Sequence, residues 1–171
     1  MALQIDNLCA EFGVTAAALA ARGLRQYPEA TTLEVAEIGS DGREHLLTPA
    51  AANAWRELKG EATRAGENLF IVSAFRSVER QIEIIRRKLN AGQAIEDILC
   101  VSAFPGFSEH HTGRAVDLST PGPRPLETEF EATSAFRWLV ANAARFGFVL
   151  SYPQGNAEGY QYEPWHWCLA E

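Results

Sequence analysis

The sequence predicts an α+β fold: a single domain, built on a mainly antiparallel β-sheet with flanking helices. Three observations lead there. Helix-like and strand-like stretches are interspersed without the regular βαβ rhythm of a parallel sheet. At 171 residues and 47% hydrophobic, the chain can bury one core and is too short for two ordinary domains. No stretch repeats at a fixed period, is low in complexity, or is polar enough for disorder. Residues 1–171 therefore form one unit, with residues 1–47 as a helical segment plus hairpin and residues 48–171 as the core.

Each element has a local reason. Two helical candidates occupy the first 24 residues, and Thr15 can cap the Ala-rich run from Ala16 to Ala21. Thr32 to Ile38 reads as a strand, turned by Gly39-Ser40-Asp41-Gly42 into a partner through His45-Leu46-Leu47. Thr48-Pro49 reads as a cap followed by proline at the first helical position, and that helix runs to about Arg64 before Ala65-Gly66. Leu69 to Val72 is a short apolar strand. Ser77 can cap a helix whose Ile82, Ile85 and Leu89 recur at helical spacing until Asn90-Ala91-Gly92. A short helix over 94–100 follows, then a loop from Pro105, then a strand from Arg114 to Leu118 with period-two alternation. Residues 121–125 are a surface loop rich in proline and glycine. A helix from about Thr133 to Arg145 is stopped by Gly147, and Phe148–Leu150 and Trp165–Leu169 are the last strands. The four tryptophans, Trp55 and Trp138 included, are expected in the core.

Composition narrows the function. The net charge is -7, and the one basic cluster, Arg86-Arg87-Lys88, lies on an amphipathic helix, so a nucleic-acid partner is not expected. No apolar run approaches the roughly 20 residues that cross a bilayer, and the first residues lack the basic start of a signal peptide. Three widely spaced cysteines, Cys9, Cys100 and Cys168, form no CxxC pair and predict reduced, buried thiols. A cytoplasmic protein without a membrane partner is the expectation.

The chemistry concentrates in two segments, Ser108-Glu109-His110-His111-Thr112-Gly113-Arg114-Ala115-Val116-Asp117 and Glu163-Pro164-Trp165-His166. Two imidazoles and two carboxylates are what an open, hydrolytic zinc site requires: three ligands, a fourth position for water, and a nearby carboxylate to take a proton. On the expected strands Ala115 and Asp117 share a face, and His166 projects opposite Trp165 and Trp167. Pro164 biases Glu163 toward an extended backbone that can lean over the same site. Cys168 shares a face with His166 and offers a soft ligand in place of Asp117. His111 beside a ligand suits an orienting role, His45 has no expected role, Arg76 suits either an ion pair or a substrate clamp, and Ser108 serves equally as turn former or substrate contact.

The pattern SxHxxGxAxD followed by ExWH resembles the zinc D-Ala-D-Ala peptidases of the VanX and VanY type, which share a superfamily with lysostaphin-like enzymes and the hedgehog domain. Ser73-Ala74-Phe75-Arg76-Ser77 with Gln81, Pro105-Gly106-Phe107, Phe146-Gly147-Phe148 and Tyr152-Pro153 agree with the VanY branch, over roughly residues 48–168. The resemblance implies the hedgehog/D-Ala-D-Ala-peptidase-like fold, one zinc ion per chain held by His110, Asp117 and His166, and Glu163 as the general base. It also implies Arg76 as a clamp for the terminal carboxylate or the polarised carbonyl, with Ser108 and Gln81 at the substrate. His111, Ser151 and Cys168 depart from residues common in relatives, and none is a proposed ligand or base.

The implied activity is zinc-dependent D,D-carboxypeptidase action on peptidoglycan-type peptides, with a peptidoglycan-derived peptide as partner. Alternatives within the family are an L,D-carboxypeptidase or an L-alanyl-D-glutamate endopeptidase. From a different class comes a non-catalytic hedgehog-like zinc-binding module, which would need neither Glu163 nor Arg76.

Overall fold

The computed structural model describes residues 5–170. Residues 1–4, the start of the first helical candidate, lie outside the described residues. Helices α1 (Ile5–Phe12) and α2 (Ala16–Ala21) come first, with the Thr15 side chain accepting from the Ala18 amide. Strands β1 (Glu34–Ile38) and β2 (Glu44–Leu47) form an antiparallel hairpin. Helix α3 (Pro49–Arg64) starts at Thr48, whose side chain accepts from Ala51, and ends where the sequence predicts. Then come β3 (Phe70–Ser73), α4 (Val78–Asn90) capped by Ser77, and α5 (Ile95–Val101). After a 3₁₀ turn over Glu109–Thr112 the chain forms β4 (Ala115–Ser119), α6 (Ser134–Asn142), β5 (Phe148–Leu150) and β6 (His166–Leu169).

The second sheet has the order β3-β4-β6-β5, with every pair antiparallel. One core lies between this sheet, α3 and α6, around Trp55, Leu58, Leu118, Leu139 and Trp167. A second core packs α1 and α2 against α4 and α5 around Ile85, Ile98 and Phe104. Glu37 ties the hairpin to the first core. It accepts from the Trp55 indole at 3.0 Å, pairs with Lys59 at 2.7 Å and accepts from the Ile71 amide at 3.2 Å.

Several expectations need correction. Strand β4 does not alternate between buried and exposed residues, because it is an interior strand with all five residues buried. The helix expected to reach Arg145 stops at Asn142 and tightens into a 3₁₀ turn over Ala143–Phe146 before Gly147 at φ 79. A further 3₁₀ turn spans Thr128–Ala132, where the sequence offered no helical period. Trp165 precedes β6 rather than starting it; it packs partly on the core and also lines a cavity beside His110 and Asp117. Of the cysteines only Cys9 is fully buried, and none of the three is in a disulfide. Among the described residues, no helix is long and apolar enough to cross a membrane.

Candidate metal centre and active site

One level of the main sheet assembles the site. Ser73 of β3 lies opposite Asp117 of β4, and Asp117 lies opposite His166 of β6. Three residues beyond Ser73 the chain reaches Arg76, whose amide donates to the His110 carbonyl at 3.1 Å. The loop carrying His110 is thereby fastened to the end of β3. Gly113, at φ 64, makes the turn from that loop into β4. Glu163 and His166 close a turn through a bond from the His166 amide to the Glu163 carbonyl, with Pro164 at the position whose φ proline presets.

His110, Asp117 and His166 are all buried, and their donor atoms lie within 4.8 Å of one another. His110 Nε2 is 3.2 Å from one Asp117 oxygen, and His166 Nδ1 is 3.0 Å from the other. A tetrahedral site with bonds of about 2.0–2.2 Å has ligand atoms separated by about 3.3 Å. The tautomers suit it as well. His110 Nδ1 bonds the Ala74 carbonyl at 2.7 Å, so it carries the proton and leaves Nε2 with a lone pair. His166 Nε2 meets the Glu109 carboxylate at 2.9 Å, which turns Nδ1 toward Asp117. Two nitrogens and one carboxylate with a water-accessible fourth direction fit zinc.

The electrostatics agree with a cation site. Burial pushes the Asp117 carboxyl up, yet the two imidazoles overcome it and hold the group well below the usual range. Burial alone would lower His166, but hydrogen bonds to Asp117 and Glu109 carry it up to about 10. An imidazole held between two carboxylates marks surplus negative charge that a dication would neutralise. Glu163 behaves differently. Its Oε2 is 3.9 Å from His166 Nδ1, and burial raises its carboxyl to about 7, Asp117 adding to the rise while His166 and Arg76 oppose it. A carboxyl held near neutrality suits proton transfer.

Arg76 is half-buried beside this set, with Nη2 at 3.9 Å from Asp117 Oδ2. Its guanidinium donates to Gln81 at 2.9 Å and Ser73 at 3.2 Å. Gln81 itself is fully buried, and its amide nitrogen donates to the Ala103 carbonyl at 2.7 Å. Gln81 thus sits beneath Arg76 and holds it. His111 is fully buried too. Its Nδ1 bonds the Arg76 carbonyl at 2.6 Å while Nε2 accepts from the Gly106 amide, so it pins two loops together as a neutral imidazole. Ser108 is buried and lines the cavity with His110 and Asp117. Cys168 stands opposite Ala115, one step of the same strand face away from the Asp117–His166 pair, and is not in the ligand group.

Sequence reasoning missed Glu109. Besides His166, its carboxylate accepts from the Ser151 hydroxyl at 2.6 Å and the Tyr27 hydroxyl at 3.4 Å. Its adjacency to His110 was the available signal, but which imidazole it meets depends on the return of β6. Above these groups lies a cavity of about 450 Å³ lined by Arg76, Lys88, Ser108, Tyr152, Tyr162 and Trp165 among others.

The family model described as VanY, D-alanyl-D-alanine carboxypeptidase, matches residues 44–170. A D-alanyl-D-alanine carboxypeptidase of Enterococcus faecalis (strain ATCC 700802 / V583) is 35% identical over 118 residues, covering 63% of this chain and 42% of that protein. The chain thus spans less than half the length of that curated relative. Among solved structures, the LdcB LD-carboxypeptidase superposes with a TM-score of 0.75 at 29% identity, over 83% of this chain and 69% of that one. A mutant of the vancomycin-resistance D,D-pentapeptidase VanY, in complex with Zn(II), superposes with a TM-score of 0.66 at 29% identity, over 86% and 85%.

Proposed function

The chain belongs to the VanY family of D-alanyl-D-alanine carboxypeptidases, and from that premise we propose that it is a zinc D,D-carboxypeptidase removing the terminal D-Ala from peptidoglycan-type peptides. The observation that carries the reading is the joining, in one buried cluster, of a three-ligand donor set with a carboxyl held near neutrality and a guanidinium beside it.

His110 Nε2, one Asp117 oxygen and His166 Nδ1 would hold the ion. Zinc bound there would supply a Lewis acid for the scissile carbonyl and would bring the pKa of a water toward 7. Glu163, its carboxyl 3.9 Å from His166 Nδ1, takes the proton of the attacking water and hands it to the departing amine. Arg76, locked by Gln81 and Ser73, offers fixed N–H groups to the carbonyl oxygen as negative charge grows on it. Tyr152 packs on the His166 ring at 4.7 Å between centroids and shields the ligand face from bulk water. Retention of both Glu163 and Arg76 supports an enzyme over a zinc-binding module.

A second reading, removal of D-Ala from an L,D linkage, is favoured by the TM-score of 0.75 to the LdcB LD-carboxypeptidase. Mass spectrometry of products from three substrates separates the two: a pentapeptide ending in D-Ala-D-Ala, the corresponding tetrapeptide, and the D-Ala-D-Ala dipeptide, each with a chelated control. Chelator-sensitive loss of one D-Ala from the pentapeptide is the expected result. Cleavage confined to the tetrapeptide would move the assignment to the L,D class, and no cleavage of any would overturn the carboxypeptidase reading.

A further inference from the structure

The cavity contains a second cation that the reaction above does not use. Lys88, in the last turn of α4, lines it together with Ile84 one turn earlier and with Val101, Ser102 and Ala103 from the end of α5 and the loop after it. Its ammonium donates to the Ser102 hydroxyl at 2.7 Å, and among the described residues no carboxylate lies within ion-pair distance of it. Burial lowers its pKa, Arg76 lowers it further and Glu163 raises it, so its charge sits within electrostatic reach of both active-site groups. A half-buried ammonium whose one described partner is a neutral hydroxyl has lost water without gaining an anion, which is costly unless a ligand supplies one.

The two cations have different surroundings. Arg76 is 3.9 Å from Asp117 and coupled to Glu163. A full carboxylate docked on it would meet two more carboxylates, whereas a carbonyl oxygen would not. Lys88 feels Glu163 only at longer range and has no described carboxylate at ion-pair distance. Part of the cavity wall is apolar: Val101 and Leu126 line it and are 41% and 43% exposed, and Leu126 holds a strained φ of 61. Apolar walls with a cation at one end suit a small side chain next to a terminal carboxylate. In a peptide that carboxylate lies about one residue, ~3.8 Å, beyond the scissile carbonyl.

We propose that Lys88 binds the free C-terminal carboxylate of the leaving residue, leaving Arg76 to the scissile carbonyl, and so makes this site an exopeptidase. The inference rests on the carboxypeptidase reading and refines it.

The test compares a D-Ala-D-Ala peptide with its C-terminal amide, using zinc-loaded wild type, K88M, K88R and S102A. Wild type should prefer the free acid by at least tenfold in kcat/KM. Lys88→Met should raise KM for the acid about tenfold or more with little change in kcat, and bring acid and amide close to parity. Lys88→Arg should restore the preference, and Ser102→Ala, which removes the same hydrogen bond but keeps the charge, should retain it. Calorimetric binding of both peptides is measured in parallel in the zinc-loaded E163Q protein with and without K88M, since that background leaves the peptide intact. If wild type hydrolyses neither peptide, the carboxypeptidase reading falls, and the binding preference still decides the role of Lys88. An acid-to-amide ratio unchanged by K88M, or absent from wild type in both measurements, overturns the proposal.

Discussion

Replacing Glu163 with Gln should remove turnover and, in the metal-free protein, increase stability at alkaline pH. Burial lifts this carboxyl from 4.5 to about 7 in the folded protein. The native state therefore keeps its proton to higher pH than the unfolded chain does. Below about pH 4.5 both states are protonated and the residue costs nothing. Between 4.5 and 7 the unfolded state releases its proton first, stability declines, and above 7 the full cost is in place. At about 1.4 kcal/mol per pH unit, that interval amounts to about 3 kcal/mol. Gln has nearly the same shape and no charge to bury. With chelator present, denaturant unfolding should find E163Q more stable than wild type by up to about 3 kcal/mol at pH 8, with most of the difference gone at pH 5. Loaded with zinc, the variant should bind the ion and lose about 10²- to 10⁴-fold in turnover. A difference of equal size at both pH values, or a less stable variant at pH 8, would refute the claim that burial holds this carboxyl near neutrality.

Three further outcomes are expected. Glu109→Gln keeps an oxygen for His166 Nε2 but removes the charge, and should weaken zinc about 10- to 100-fold in competition with a chromophoric chelator; unchanged affinity would exclude Glu109 from orienting the ligand. Zinc at about 100 times its dissociation constant should stabilise the protein by about 2.7 kcal/mol, seen as a rise in Tm that chelator reverses. The same titration on Asp117→Ala should show no such rise. Gly113→Ala should cost about 1–3 kcal/mol in denaturant unfolding, because the residue sits at φ +64 and an added Cβ would come within 2.8 Å of Leu33 and 3.3 Å of Ala30. A midpoint equal to wild type would show that the turn and its neighbours adjust freely.

Much of the fold could be read locally. Thr48-Pro49 and Ser77 place the starts of α3 and α4 because a cap is an interaction between residues three apart. Gly147 places a stop because only a left-handed residue ends that turn cheaply. Local signals failed where sheet position or a tightened turn took over, as in the fully buried β4 and the 3₁₀ segments on either side of α6.

The sequence by itself determined the residue types of the centre, His110, Asp117, His166 and Glu163, because a hydrolytic metal site needs those donors and few other arrangements collect them in two short segments. Tertiary structure alone decided how they meet. The pairing of Ser73, Asp117 and His166 across three strands sets which nitrogen of each imidazole faces the carboxylate. The return of β6 brings His166 to Glu109, 57 positions earlier, while Ser151 and Tyr27 converge on the same carboxylate. Packing of α4 against the loop after α5 buries Gln81 under Arg76 and leaves Lys88 facing the cavity beside Ser102. Those contacts join residues remote in the chain, and their energies depend on burial and charge that exist only once the strands and helices have packed.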